Sequence, residues 1–255
     1  MNKDYIKIID DLRSLGVNKG DKLLIHSSYK SLGKIEGGVE TLISALKDAV
    51  GEEGTLLLPT FTYDYVNKNN PVFDVKRTVS HVGYLPESFR HTDGVKRSLH
   101  PTHSLAVWGK DRDYFVKDHH LDNACVKENS PIYKLKENGG KILMLGCGLY
   151  NNTILHGLEV LYKPPYSMTV DYSNPEFHRE YACIDENDNI YRSEFFHVFA
   201  QENGYEGDFI KLRDVCPMKR GYVLEAECFL MNAQEVWDKA LEKMKEDPYY
   251  FVRKI

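Results

Sequence analysis

Cysteine is sparse in this 255-residue chain and is never paired in sequence. The five, Cys125, Cys147, Cys183, Cys216 and Cys228, are odd in number and nowhere spaced as Cys-x-x-Cys. That excludes a disulfide framework or a zinc ribbon as the organising device and fits a reducing cytoplasm. Long apolar runs are also missing: none approaches the roughly 20 residues of a membrane span, so no membrane association is expected. The opening residues, MNKDYIKIIDDL, hold no long apolar core and no cleavage-site pattern, so no secretory signal is expected there. Basic tracts are absent and the formal net charge is −5, which argues against a nucleic-acid partner. Neither the Gly-Lys-Ser/Thr of a Walker loop nor a Gly-x-Gly-x-x-Gly after a strand occurs.

What remains is the composition of a globular protein, with 42% hydrophobic and 28% charged residues. A chain of this length buries roughly three quarters of its unfolded surface and needs no metal or staple. No repeat or linker divides it, so residues 1–255 read as a single domain. Tyr5, Ile8, Ile9, Leu12 and Leu15 form a helical stripe ended by Gly16. KLLIHSS and TLLLPTF are short buried strands, each ending in small polar residues, with a helix from Val39 to Val50 between them. This rhythm predicts an α/β fold with a mostly parallel central sheet flanked by helices. The stretch from Tyr63 to Ser80 reads as a long polar loop, VGYLPESFR as a short helix, and Ser104–Trp108 as a strand. Asp111–Lys117 reads as a short helix, and Ser130-Pro131 opens another. After Pro164-Pro165 the pattern turns antiparallel: TVDY, YACID and IYRSEFF are short strands, with DENDN as a hairpin turn. Gly221–Met231 reads as one strand, followed by a closing helix.

The stretch from Lys141 to Tyr162 organises the chain. An apolar strand (Ile142–Leu145) ends at Gly146, and after a polar turn Ile154, Leu155, Leu158 and Leu161 recur at helical spacing. Asn152 or Thr153 is placed to cap that helix. His156 and Glu159 lie three apart, so their side chains share a face. A carboxylate beside an imidazole fixes its tautomer and raises its basicity, as a general base requires. On spacing alone an ordinary surface pair is the favoured reading.

Three further motifs carry chemistry. HSSYKSLG sets Ser27, Ser28, Ser31 and Gly33 after a strand, where open α/β sheets bind ligands. Hydroxyls and backbone N–H groups there suit phosphate or amide oxygens, and a simple polar turn remains the other reading. RSLHPTHS gathers Arg97, Ser98, His100 and Ser104; the arginine could hold a phosphate. His100 and His103 make a poor zinc site, with no third ligand nearby, so no metal is expected. Cys147, in Gly-Cys-Gly, stands between strand and helix where a nucleophile would be displayed, although the elbow pattern itself is missing.

Together these segments resemble the aminoglycoside 3-N-acetyltransferase family, part of the antibiotic N-acetyltransferase superfamily. HSSYKSLG, GGVETLISALKDAVGEEGTLLLPTFTYD, VGYLPESFR, GVKRSLHPTHSLAVWG, SPIYKLKENGGKILMLG and NNTILHGLEV occur in the family's order over most of residues 20–162. GYVLEAECFLMNAQEVWDKA looks like its C-terminal strand and helix. The resemblance implies a fold distinct from GNAT enzymes and transfer of acetyl from acetyl-CoA to a substrate amine. It implies His156 and Glu159 as the catalytic pair, and coenzyme contacts from Ser27, Ser28, Ser31, Gly33, Arg97, Ser98, His100 and Ser104. The expected partners are a small-molecule amine and, at most, a second copy of the chain in a homodimer.

The chain departs from the family where the acceptor would be chosen, after Thr62 and from Pro164 to Gly221. Aromatics crowd these segments (Tyr63, Tyr65, Tyr172 and Phe196), and Tyr63 with Asp64 is the candidate acceptor contact. Asp171 and Glu194 are further candidate amine anchors. Stacking rings suit a sugar or a nucleotide base equally, so the acceptor is an aminoglycoside or another amino sugar. Two other readings stay open: a Cys147-dependent acyltransferase or thiol hydrolase, and a non-catalytic CoA- or sugar-binding protein.

Overall fold

A computed structural model describes residues 2–168, 178–196 and 204–255 of the chain. Asn2 accepts from the backbone N–H groups of Asp4 and Tyr5 and so starts α1 (Lys3–Leu15), which Gly16 ends in the left-handed region. Then follow β1 (Lys22–Ser27), α2 (Gly38–Val50), β2 (Thr55–Pro59), β3 (Val72–Asp74) and α3 (Tyr84–Phe89). The middle of the chain supplies β4 (Lys96–Arg97), β5 (Leu105–Gly109), α4 (Arg112–Val116), α5 (Pro131–Glu137) and β6 (Lys141–Leu145). Next come α6 (Ile154–Tyr162), α7 (Pro165–Met168), β7 (His178–Ile184), β8 (Ile190–Phe196) and β9 (Tyr205–Gly207). The chain closes with α8 (Leu212–Val215), β10 (Lys219–Val223), β11 (Ala226–Asn232), α9 (Ala233–Glu246) and β12 (Val252–Lys254).

The central sheet runs β10-β11-β6-β1-β2-β5-β4. Five of its seven strands point the same way; β11 and β5 run against them. Adjacent parallel strands are confined to the middle, β6-β1-β2, and antiparallel pairing finishes both edges. The stretch expected as one strand from Gly221 to Met231 is a hairpin. Leu224, at φ 51°, turns the chain between β10 and β11 without the Asn-Gly signal that usually marks such a turn.

Alternation along the central strands sorts their side chains onto two faces. Leu23, Ile25, Leu56, Leu58, Leu143 and Leu145 pack with α1 and α2. Leu24, Leu57, Ile142 and Met144 pack on the other face with Ile154, Leu155 and Leu158 of α6 and Val236 of α9. His26 pairs in register with Met144 and so stands on the α6 face. Within the stretch read as a polar loop, β3 is ordered by parallel pairing with β7, and β8 completes that small second sheet. YACID and IYRSEFF are the antiparallel pair β7–β8, turning at Asp185–Asn189; TVDY, with Asp171 and Tyr172, lies outside the described residues.

Candidate functional site

The carboxyl ends of β1, β2 and β6 open into a cleft of about 1180 Å³, where open α/β sheets place their ligands. Strand β1 delivers His26, Ser27 and Ser28; β2 runs on to Phe61, Tyr63 and Asp64; β6 ends at Gly146 and Cys147. Helix α6 brings His156 and Glu159 to the same wall, and Phe209 closes that side with its ring 5.3 Å from the His156 ring.

One turn of α6 sets His156 Nδ1 2.6 Å from Glu159 Oε2. The carboxylate is the more enclosed partner: its side chain is 13% exposed, the imidazole 40%. With Nδ1 donating to Glu159, the neutral ring keeps its lone pair on Nε2. Tyr166, buried in α7, donates to the other carboxylate oxygen at 3.1 Å. Burial first, then the charge of Glu159, raises the Tyr166 pKa, so its hydroxyl remains a donor. Sequence reading missed Tyr166; its only signal is the helix break at Pro164-Pro165, which turns the chain back onto α6. His26 was also passed over, although it begins the serine motif. Burial, with His156 second, pushes its pKa down to about 3, so it stays neutral. Its Nε2 has no hydrogen-bond partner.

The serine motif divides into two tasks. Ser27 and Ser28 line the cleft. Ser31 instead locks the loop, with Oγ 2.8 Å from Ser28 Oγ and 2.9 Å from the Gly146 carbonyl. Gly146 has φ 71°, and a Cβ there would come within 2.8 Å of Ser31 Cβ, so the close approach requires glycine. Gly33 likewise stands off the cleft wall and turns the loop, at φ 78°.

Arg97, Ser98, His100 and Ser104, expected as coenzyme contacts, lie away from the cleft wall. Arg97 is 8% exposed and the other three are wholly buried. All three guanidinium nitrogens donate inside the protein: Nε to Thr60 Oγ1 and Ser104 Oγ, Nη1 to the Thr78 carbonyl, and Nη2 to the Thr60 carbonyl. The guanidinium also lies 4.9 Å from the Phe73 ring centroid. Burial first and Arg90 second lower the Arg97 pKa to about 9, which leaves it charged at neutral pH. His100 Nδ1 accepts from the His103 N–H at 2.9 Å, and Ser98 Oγ is 2.8 Å from His119 Nδ1. The His100 and His119 rings stack at 4.5 Å. Arg97 and Ser104 knot the β4–β5 edge to the loop after β2, Ser98 ties it to His119, and a phosphate would have to displace that network.

On the acceptor side Tyr63 and Asp64 do line the cleft. The Tyr63 ring stands edge-on to His81 at 4.1 Å. Asp64, with 61% of its side chain exposed, is 3.8 Å from His81 Nε2, beyond hydrogen-bond reach. Glu194 lies on β8 beside His178, away from the cleft wall. Cys147 lines the cleft, but burial raises its thiol to about 12, so at neutral pH it is not a thiolate. Among the described residues no three His, Cys, Asp or Glu side chains group to hold a metal, and no helix is long and apolar enough to cross a membrane.

Comparison with known proteins gives the chain its family. A family model described as aminoglycoside 3-N-acetyltransferase matches residues 24–245. Aminoglycoside N(3)-acetyltransferase VII of Streptomyces paromomycinus is 30% identical, over 94% of this chain and 91% of its own. The aminoglycoside N(3')-acetyltransferase-like protein YokD of Bacillus subtilis is 29% identical, over 91% and 89% respectively. Among solved structures, aminoglycoside acetyltransferase AAC(3)-IVa, as a histidine-to-alanine mutant in complex with a gentamicin, superposes at a TM-score of 0.78. Its identity is 27%, with 97% of this chain and 90% of that chain covered. AAC-IIIb, binary with CoASH, superposes at 0.74 with 26% identity, over 95% and 96%. The chain belongs to the aminoglycoside 3-N-acetyltransferase family and is an acetyltransferase.

Proposed function

We propose that this chain transfers the acetyl group of acetyl-CoA to an amine of an amino sugar or aminoglycoside by direct attack in a ternary complex. The observation that carries the reading is the 2.6 Å contact between His156 and Glu159 on the wall of the main cleft. A protonated amine cannot attack a thioester. His156 Nε2 takes the amine proton as the nitrogen bonds to the acetyl carbon, and Glu159 stabilises the imidazolium. Collapse of the tetrahedral intermediate breaks the C–S bond, and the coenzyme leaves as a thiol after taking the proton. Backbone N–H groups at the strand ends are suited to hold the developing oxyanion. At about 1180 Å³ the cleft exceeds the 300–1,000 Å³ typical of one small-molecule site, which favours a complex holding both substrates.

In this reading Ser27 and Ser28 face the coenzyme and Tyr63 with Asp64 faces the acceptor. The five unpaired cysteines favour a cytoplasmic enzyme. The protonated state of Cys147 favours direct attack over an acetyl-cysteine intermediate. The test is intact-mass analysis after mixing enzyme with acetyl-CoA alone, alongside thiol release for Cys147→Ala. Direct transfer predicts no acetylated enzyme and turnover within about twofold of wild type. A stoichiometric adduct at Cys147, with a dead Cys147→Ala, would establish the covalent route instead.

A further inference from the structure

The turn from Arg97 to Ser104 takes no part in the His156–Glu159 reaction, yet it is bonded to the segment that carries Tyr63 and Asp64. Antiparallel pairing between β2 and β5 continues past the strand ends. The N–H of Thr60 donates to the Ser104 carbonyl and that of Thr62 to the Thr102 carbonyl, each at 2.9 Å. Thr62 is wholly buried, and all its polar groups are engaged. Its hydroxyl donates to the Pro101 carbonyl. Its carbonyl accepts from the N–H groups of Tyr65 at 2.8 Å and Val66 at 2.7 Å. The bond from Tyr65 closes a turn in which Tyr63 and Asp64 are the two central residues. Pro101 is fixed from its own side, because His100 Nδ1 accepts from the N–H groups of Thr102 at 3.3 Å and His103 at 2.9 Å. Beyond the turn, Val66 is buried with Phe73 and Phe195.

We propose that Thr62 is a positioning residue for the acceptor, its hydroxyl on the Pro101 carbonyl fixing the turn that presents Tyr63 and Asp64 to the cleft. The proposal rests on the reading that these two residues face the acceptor. Thr62 does not line the cleft, so it acts only through them. Asp64, with its side chain 61% exposed and no hydrogen-bond partner for its carboxylate among the described residues, takes its direction from the backbone of the turn. The main-chain bonds of Thr62 could be made by any residue but proline, whereas the bond to Pro101 requires a hydroxyl. A slackened turn would move Asp64 off the acceptor amine and leave His156, Glu159 and the serine loop undisturbed, because those stand on α6 and β1.

Two variants test this. Thr62→Val keeps the shape and removes the donor; Thr62→Ser keeps the donor and removes a methyl group. Hydrogen exchange of the Tyr65 and Val66 amides, measured relative to the amides of β1, reads the turn without any acceptor. It should quicken about tenfold in Thr62→Val and stay near wild type in Thr62→Ser. Unchanged protection in Thr62→Val would overturn the proposal. Thiol release from acetyl-CoA, with gentamicin or glucosamine as acceptor and below each variant's melting temperature, reads the consequence. The Michaelis constant for the acceptor should rise about tenfold in Thr62→Val and return in Thr62→Ser. In Thr62→Val, kcat and the Michaelis constant for acetyl-CoA should stay within about twofold of wild type. A hydroxyl of purely structural value would lower the melting temperature and leave both Michaelis constants alone; a general distortion of the cleft would raise both together. Either result would contradict the role given to Thr62. Asp64→Asn separates that failure from failure of the acceptor reading. A raised acceptor constant in Asp64→Asn but not in Thr62→Val removes Thr62 alone, whereas wild-type constants in both remove Asp64 from the acceptor site as well.

Discussion

Two polar clusters of this protein look alike in sequence and differ in what surrounds them. One is His156–Glu159 with Tyr166; the other is Arg97 with Thr60, Ser98, His100 and Ser104. Both gather titratable and hydroxyl side chains around a turn beside a strand. In the first, the imidazole keeps 40% of its side chain exposed on the cleft wall, and among the described residues only Nδ1 has a hydrogen-bond partner. In the second, the arginine is buried and every guanidinium nitrogen donates to the protein. Residue type marks where polar chemistry gathers. Unfilled valence at a solvent-accessible wall decides whether it can act on a ligand.

The contrast breaks most readily at Arg97. Arg97→Ala removes the donor to the Thr78 carbonyl, leaves the Thr60 carbonyl with Ser104 Oγ alone and empties a buried site, and should cost ~3–5 kcal/mol of stability, read as a urea-midpoint shift. Its Michaelis constant for acetyl-CoA, measured below the melting temperature, should stay near wild type. A coenzyme role for Arg97 would give the opposite pattern, with unchanged stability and a raised Michaelis constant.

Tyr166→Phe sharpens the other side. Removing the donor to Glu159 Oε1 loosens the group that orients His156. We expect kcat to fall about tenfold, equivalent to ~1.4 kcal/mol, with the Michaelis constants unchanged. Wild-type kcat in this variant would show that Glu159 needs no second partner.

The buried imidazoles set a slope. Burial holds the pKa of His26 and His100 down at about 3, and that of His119 well below its ordinary value. An unfolded chain protonates these imidazoles near pH 6.5, whereas the folded chain does not. The contribution of His26 and His100 is therefore intact above about 6.5 and is lost as pH falls towards about 3, at ~1.4 kcal/mol per pH unit for each, and that of His119 is lost in the same direction. His100→Gln should reduce the slope of urea stability between pH 6 and 4 by about that amount. An unchanged slope would mean that His100 takes up a proton in the folded state.

How far the sequence discloses this arrangement follows from the range of the forces involved. The central strands were legible because short apolar runs bounded by glycine are set by local composition. The His156–Glu159 contact was legible because three residues on a helix meet whatever lies around them. Strand β3 was hidden: it has three residues, and a parallel partner beyond Pro165 orders it. The Leu224 turn was hidden because its left-handed residue is a leucine, held by neighbouring strand pairing and by Asp11 accepting from its N–H. The enclosure of Arg97 was hidden because an arginine among serine, histidine and proline reads as a surface loop. Only the folded chain brings the Thr60 and Thr78 carbonyls to it. Tyr166 was missed because its hydroxyl reaches Glu159 across a helix break.

The most direct test of the whole account is thiol release by His156→Ala at saturating acetyl-CoA and acceptor, on protein whose CoA affinity and melting temperature match wild type. A general base acting through Nε2 predicts a kcat lower by about 10² to 10⁴. Turnover near wild type, with the coenzyme still bound, would remove His156 from the chemistry and leave the His156–Glu159 pair an ordinary contact on a helix.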